Sequence, residues 1–275
     1  YGNLSVPAFR ISDAQQVRPL PPLVHRSDHK QTAANLILGG ADLMAGEGEH
    51  FNQLESALRQ SPTLALLELG YHEAVEGAIQ GDPAPLPEID AFKADYGSLL
   101  ESLRKAGSQV VAMTIPDPCD TAYLSTVESA ARNLKLSPSV LLKGYNLKDD
   151  DRITIQGLFE MGCQLLSRNL GPLPDGSILP ATAVNRISER IQALNAELAS
   201  LAEKHDALVF DLHGLLHEVA EQGITVGAKQ LSCDFLGGFY QLNGHYLGLA
   251  GHAVIANGLL ELLNDLQALA NMNWE

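Results

Sequence analysis

Three short apolar runs, each bounded by turn residues and separated by amphipathic stretches, constrain this chain more than any other feature. Residues 63–69 (Thr63-Leu64-Ala65-Leu66-Leu67-Glu68-Leu69), 109–115 and 207–212 have strand length and are apolar nearly throughout. They do not alternate, which is the pattern of strands buried on both faces. A shorter run at residues 2–6 predicts one more strand, ending at Pro7. Helical periods fill the gaps at residues 51–60, 89–106 and 183–204. In the last of these Val184, Ile187, Ile191, Leu194, Leu198 and Leu201 step by three and four, making one apolar stripe. Pro180 and Thr182 are its start signals. A closing helix over residues 251–270 repeats the device with Ile255, Leu259, Leu263 and Leu266. Strands alternating with helices imply right-handed βαβ units and a mainly parallel sheet covered on both sides.

Composition narrows the class. At 275 residues, with 45% hydrophobic and 19% charged side chains, the chain reads as a single α/β domain over residues 1–275. Residues 120–169 read as a helical insertion, and the Pro/Gly-rich stretches 81–87 and 171–180 as surface connections. A formal net charge of −15 argues against nucleic acid and anionic membrane surfaces, because both are bound through Lys and Arg. No run of 18 apolar residues is present, so no membrane-spanning helix is expected. Cys119, Cys163 and Cys233 are an odd, widely spaced set, which reads as buried free thiols, with one disulfide plus a spare thiol as the alternative.

Reactive groups of an α/β sheet gather beyond the carboxyl ends of its strands. Here those ends carry Asn3-Leu4-Ser5-Val6-Pro7-Ala8, then Gly70-Tyr71-His72-Glu73, then Thr114-Ile115-Pro116-Asp117. Pro172-Leu173-Pro174-Asp175 precedes the long helix. Near the end comes Gly237-Gly238-Phe239-Tyr240-Gln241-Leu242-Asn243-Gly244-His245-Tyr246, running into Gly251-His252-Ala253-Val254-Ile255-Ala256-Asn257. In order and spacing these blocks resemble the SGNH/GDSL hydrolases (GDSL-like lipases and acylhydrolases) over nearly the whole chain. The resemblance implies a flavodoxin-like three-layer α/β/α sandwich and acyl transfer from an acyl or carbohydrate ester, with no metal and no cofactor. It places oxyanion donors at the backbone of Ala8 and at His72, in the Gly70–Glu73 block. It places the family's Asp and His at Asn243 and Tyr246.

The chain departs from the family at each of those points. Ala8 stands where the family has Gly, which a negative φ would accommodate. His72 and Glu73 replace an Asn and an Asp, Asn243 an Asp, and Tyr246 a His. An Asp-to-Asn change of this kind lowers serine-protease rates about 10⁴-fold, and a phenol titrates near 10, far above a working base. The Gly-Asp-Ser nucleophile turn of the family and the first strand before it are expected upstream of Tyr1. Two functions therefore stand side by side: a serine ester hydrolase of this class, and a non-catalytic relative that binds a glycan or acyl ligand in the same crevice. A small molecule is the expected partner in both, and a secreted or periplasmic setting is implied by the resemblance alone.

Other clusters have plainer readings. His245, beside Tyr246, is a candidate substitute base, although neighbouring turn residues point apart. His252 reads as a packing residue. His25, Ser27, Asp28 and His29 follow Pro19-Leu20-Pro21-Pro22 and read as loop; His213 and His217, four apart with Asp211 and Glu218 nearby, read as a helix surface. Lys148-Asp149-Asp150-Asp151 reads as solvated charge without the spacing of a calcium loop. No metal site is expected.

Overall fold

The computed structural model describes residues 2–40, 43, 46 and 48–272, with side chains described up to residue 265. The chain is mixed α/β. Its strands are β1 (Leu64–Leu67), β2 (Gln109–Met113), β3 (Leu124–Ser125), β4 (Arg152–Thr154), β5 (Ile178–Leu179), β6 (Leu208–Phe210), β7 (Ile224–Val226) and β8 (Lys229–Leu231). The expected apolar runs form a small parallel sheet in the order β1-β2-β6, with Leu64 to Leu67 in register with Gln109 to Ala112. The chain divides into two compact units: Tyr1–Glu73, Pro87–Ile115 and Ala193–Val209 form the first; Ala74–Leu86, Pro116–Gln192 and Phe210–Glu275 form the second.

In the first unit β2 is the buried strand: Val110, Val111 and Ala112 lose all contact with solvent. β1 lies outermost in its sheet, and alternate residues Leu64 and Leu66 remain exposed, Leu66 at 52%. The helix Ile89–Lys105 buries Phe92, Tyr96, Leu99, Leu100 and Leu103, and the Phe92 and Tyr96 rings stack with centroids 5.0 Å apart. The long helix Ala181–Lys204 follows its predicted stripe: Ile187, Ile191, Leu194 and Leu198 are fully buried, each contributing roughly 1.5–3 kcal/mol of transfer free energy. Asn195 ties this helix to the end of β2, accepting from Ile115 N at 2.7 Å and donating Nδ2 to Ile115 O at 2.9 Å.

The stretch at residues 2–6 is not a strand. Its backbone bonds go to side chains instead of a ladder: Gln53 Nε2 donates to Leu4 O and Ser5 N donates to Asn3 Oδ1. Val6 packs with Phe9 and Ala34. The helix Gln53–Arg59 starts at a capping box, Asn52 accepting from Glu55 N while Glu55 accepts from Asn52 N. At residues 25–29 Asp28 caps the helix His29–Ala34 through Gln31 N. His25 Nε2 lies 2.9 Å from Leu20 O.

The second unit contains the helices expected at residues 120–169, Val127–Leu134, Pro138–Tyr145 and Ile155–Ser167, around Val127, Leu141, Ile153 and Met161. Thr126 and Thr154 cap the first and third of these through Ser129 N and Gly157 N. An antiparallel sheet, β3-β4-β5, was not anticipated. It takes Ile178 and Leu179 out of the supposed surface connection and buries Ser177 and Leu179. Asp151 is likewise not solvated charge. It is buried, accepting from Lys148 N and, through its other oxygen, from Ala181 N at 2.9 Å. Thus the long helix is capped from thirty residues upstream and not by Thr182. In the closing helix Leu249–Met272, Ile255, Leu259 and Leu263 are half-buried, and the Leu266 side chain lies outside the described residues. His252, read as a packing residue, is exposed. All three cysteines are free; Cys233 is buried as expected, Cys119 is half-buried, and Cys163 is exposed, contrary to expectation.

Candidate active site

In the first unit the site candidates occupy two bends. Ala8 sits in a turn closed by Phe9 N donating to Val6 O, with φ of +64°. The negative φ that would have made alanine an easy replacement is absent. An L-residue held there costs about 1–2 kcal/mol relative to glycine. Ala8→Gly is therefore expected to raise stability by about 1 kcal/mol, measured as an increased urea midpoint at unchanged slope. Gly70 turns the chain from β1 into the helix Tyr71–Gln80 with φ of +102°, and a Cβ there would lie 2.7 Å from Ile115 Cδ1. His72 is half-buried in the first turn of that helix.

Glu73 is the most perturbed acid of this group. It is 2% exposed, its Oε1 accepts from Ile11 N at 2.7 Å, and its Oε2 has no hydrogen-bond partner among the described residues. Burial lifts its carboxyl to about 7, against the lowering effects of the bond from Ile11 and of the Arg10 charge. The residue thus latches the first helical turn to the loop after Ala8. Asp13 anchors the same loop, accepting from Arg10 N and Lys30 Nζ at 2.9 Å each.

In the second unit residues 239–248 form a tight hairpin. Tyr240 bridges Leu247, Gly248 N donates to Phe239 O, and Gln241 N donates to Tyr246 O at 2.7 Å. Asn243 Oδ1 accepts from both His245 N and Tyr246 N at 3.1 Å, so this oxygen is occupied by the turn's own backbone. Gly244 takes φ of +75° and receives Tyr123 N at its carbonyl. The His245 ring lies on the Tyr123 ring, centroids 4.0 Å apart, and burial pushes its imidazole down to about 4. His245 is therefore a neutral, weakly basic ring packed on a phenol. Tyr246 is 56% exposed. Asn243, His245 and Tyr246 are brought together in one turn; Ala8, Gly70, His72 and Glu73 belong to the other unit.

A polar cluster that the motifs did not reveal follows β2. Asp117 caps the short turn Pro118–Asp120 through Cys119 N, and its Oδ2 accepts from Ser188 Oγ. Asp120 Oδ2 lies 3.0 Å from His217 Nδ1, on the helix Leu212–Gln222. Burial raises the Asp120 carboxyl more than the imidazole lowers it, while the bond from Asp120 raises His217. His213 is stacked beside His217, ring centroids 6.5 Å apart. Cys233 faces Asp120 and Asp234, and burial pushes its thiol up to about 12; Cys119 is raised too, again by burial first. Neither is a thiolate nucleophile at neutral pH. Among the described residues no group of three or more His, Cys, Asp or Glu is arranged to hold a metal ion, and no helix is long and apolar enough to cross a membrane.

Comparison with known proteins finds no matching family model, no matching curated sequence and no matching solved structure.

Proposed function

We propose that this chain is an SGNH/GDSL-type ester hydrolase in fold and ancestry, built as a flavodoxin-like sandwich and acting on acyl or carbohydrate esters with an altered set of polar side chains. The observation that carries this reading is the backbone of Ala8. A non-glycine residue persists in a strained conformation where surrounding structure enforces it, and such positions concentrate at functional sites. It occurs at the position where the resemblance asks for a glycine whose N–H serves an oxyanion. The Glu73–Ile11 latch and the Asx turn at Asn243 support the same reading, since both loops keep defined shapes although their side chains differ.

The non-catalytic reading has its own support. Asn243 Oδ1 is occupied by the turn, the family's imidazole position holds the phenol of Tyr246, and the neighbouring His245 is a poor base, so this turn lacks an acid–imidazole pair. Leu242 and Leu249, close by in sequence, are exposed, Leu249 at 92%, and exposed apolar side chains favour an acyl over a carbohydrate ligand. Hydrolysis of 4-nitrophenyl acetate and butyrate separates the two. Turnover above buffer that falls in His72→Ala supports the enzyme. Background rates, together with a melting temperature raised by a long-chain acyl ligand, would establish the binder.

A further inference from the structure

We propose that His217, oriented by Asp120, is a general base that activates water against an ester carbonyl at the loop following β2. This rests on the ester-hydrolase reading and names the group that replaces the missing imidazole. Three observations carry it. First, the 3.0 Å contact between His217 Nδ1 and Asp120 Oδ2 directs the Nδ1 proton to the carboxylate, leaving Nε2 as the basic nitrogen. With the His217 side chain 57% exposed, the ring is open to water.

Second, the carboxylate is held in place. Asp120 N donates to Asp117 O, and Thr121 Oγ1 donates to Pro118 O at 2.6 Å, which fixes the loop that presents it. The Asp120 side chain is only 19% exposed, so the acid is firm while the base is accessible. Third, this loop runs directly into Tyr123, whose N–H binds Gly244 O and whose ring carries His245. The Asp–His pair and the turn bearing Asn243 and Tyr246 therefore share one short scaffold inside the second unit.

The charges around His217 favour its role. Asp120 and Asp117 face it from the loop after β2, and Glu221 and His213 lie on its own helix. The three acids hold its proton more firmly than in a free imidazole, whereas burial makes His245 the weaker base of the two. In the step, His217 Nε2 takes a proton from water as the water oxygen bonds to the carbonyl carbon and the π pair moves onto the carbonyl oxygen. Collapse of that adduct breaks the ester C–O bond, and the departing alkoxide takes the proton back from Nε2. Ester and water become acid and alcohol, and the Nδ1 proton stays on the His217 ring throughout, hydrogen-bonded to the Asp120 carboxylate.

The test is 4-nitrophenyl acetate hydrolysis between pH 5 and 9 by wild type, His217→Ala, His217→Gln and Asp120→Asn, with melting curves confirming that each variant is folded. The expected wild-type rate rises with pH through one inflection above the ordinary imidazole range. Both His217 variants lose about 10²-fold in kcat, the usual contribution of a positioned base. Asp120→Asn lowers kcat, with KM little changed, and moves the inflection to lower pH, which a purely structural carboxylate would not do. A His217→Ala rate within twofold of wild type overturns the assignment and leaves ester hydrolysis standing on another base. A wild type no faster than buffer overturns both.

Discussion

Gly244→Ala is expected to destabilise the protein by roughly 2–5 kcal/mol, the largest of the expected single-methyl effects. Two independent costs add. The residue sits at φ of +75°, where an L-residue is disfavoured by about 1–2 kcal/mol. Its new Cβ would also lie 2.5 Å from Tyr123 N, 2.6 Å from Ile155 Cδ1 and 2.7 Å from Tyr123 Cα. Two of those atoms are backbone and cannot swing aside, so overpacking of about 1–3 kcal/mol follows. Moving the turn also strains the bond from Tyr123 N to Gly244 O at 3.1 Å. Urea unfolding of this variant beside Gly171→Ala, where a Cβ meets open space, provides the comparison. The control should shift by less than about 0.5 kcal/mol. Equal midpoints would show that the hairpin does not sit against Tyr123.

Stability should fall by roughly 3 kcal/mol as pH rises from about 4.5 to about 7, through Glu73 alone. Its carboxyl titrates near the ordinary value of 4.5 when unfolded and near 7 when folded. Between those values the folded state keeps a proton that the unfolded state has lost. Raising the pH therefore favours unfolding until the folded carboxyl ionises too, and above about 7 the whole penalty is present. Burial is the cause, and Oε2 has no hydrogen-bond partner among the described residues to offset its charge. Glu73→Gln keeps an acceptor for Ile11 N and cannot ionise. The expected result is a flatter stability profile over this window, read from urea midpoints at half-unit pH steps. An unchanged slope would assign the penalty to other groups. His217 works in the same direction at higher pH: its raised imidazole contributes stability below the free-histidine range that is lost as pH rises through the folded value. Measuring the slope in both Glu73→Gln and His217→Gln separates the two.

How legible each element was depended on the range of the interactions that fix it. β1, β2 and β6 and the helices Ile89–Lys105 and Ala181–Lys204 lie within a few residues of where apolar period placed them, because burial of a face imposes that period locally. Residues 2–6 have strand composition, yet whether they pair depends on a distant partner, and Gln53 holds Leu4 instead. β3, β4 and β5 are two or three residues long, too short to show any alternation. The motif series brought Asn243, His245 and Tyr246 to one turn because they are neighbours in sequence.

What the amino-acid sequence determined by itself was the mixed α/β class, the positions of its main strands and helices, and a net charge of −15. Only the tertiary structure decided which polar groups meet. Asp151 reaches Ala181 across 30 positions, Ile11 reaches Glu73 across 62, and His217 reaches Asp120 across 97. A hydrogen bond between such residues leaves no period in the chain, since it depends on where two separately folded segments end rather than on which face either one buries.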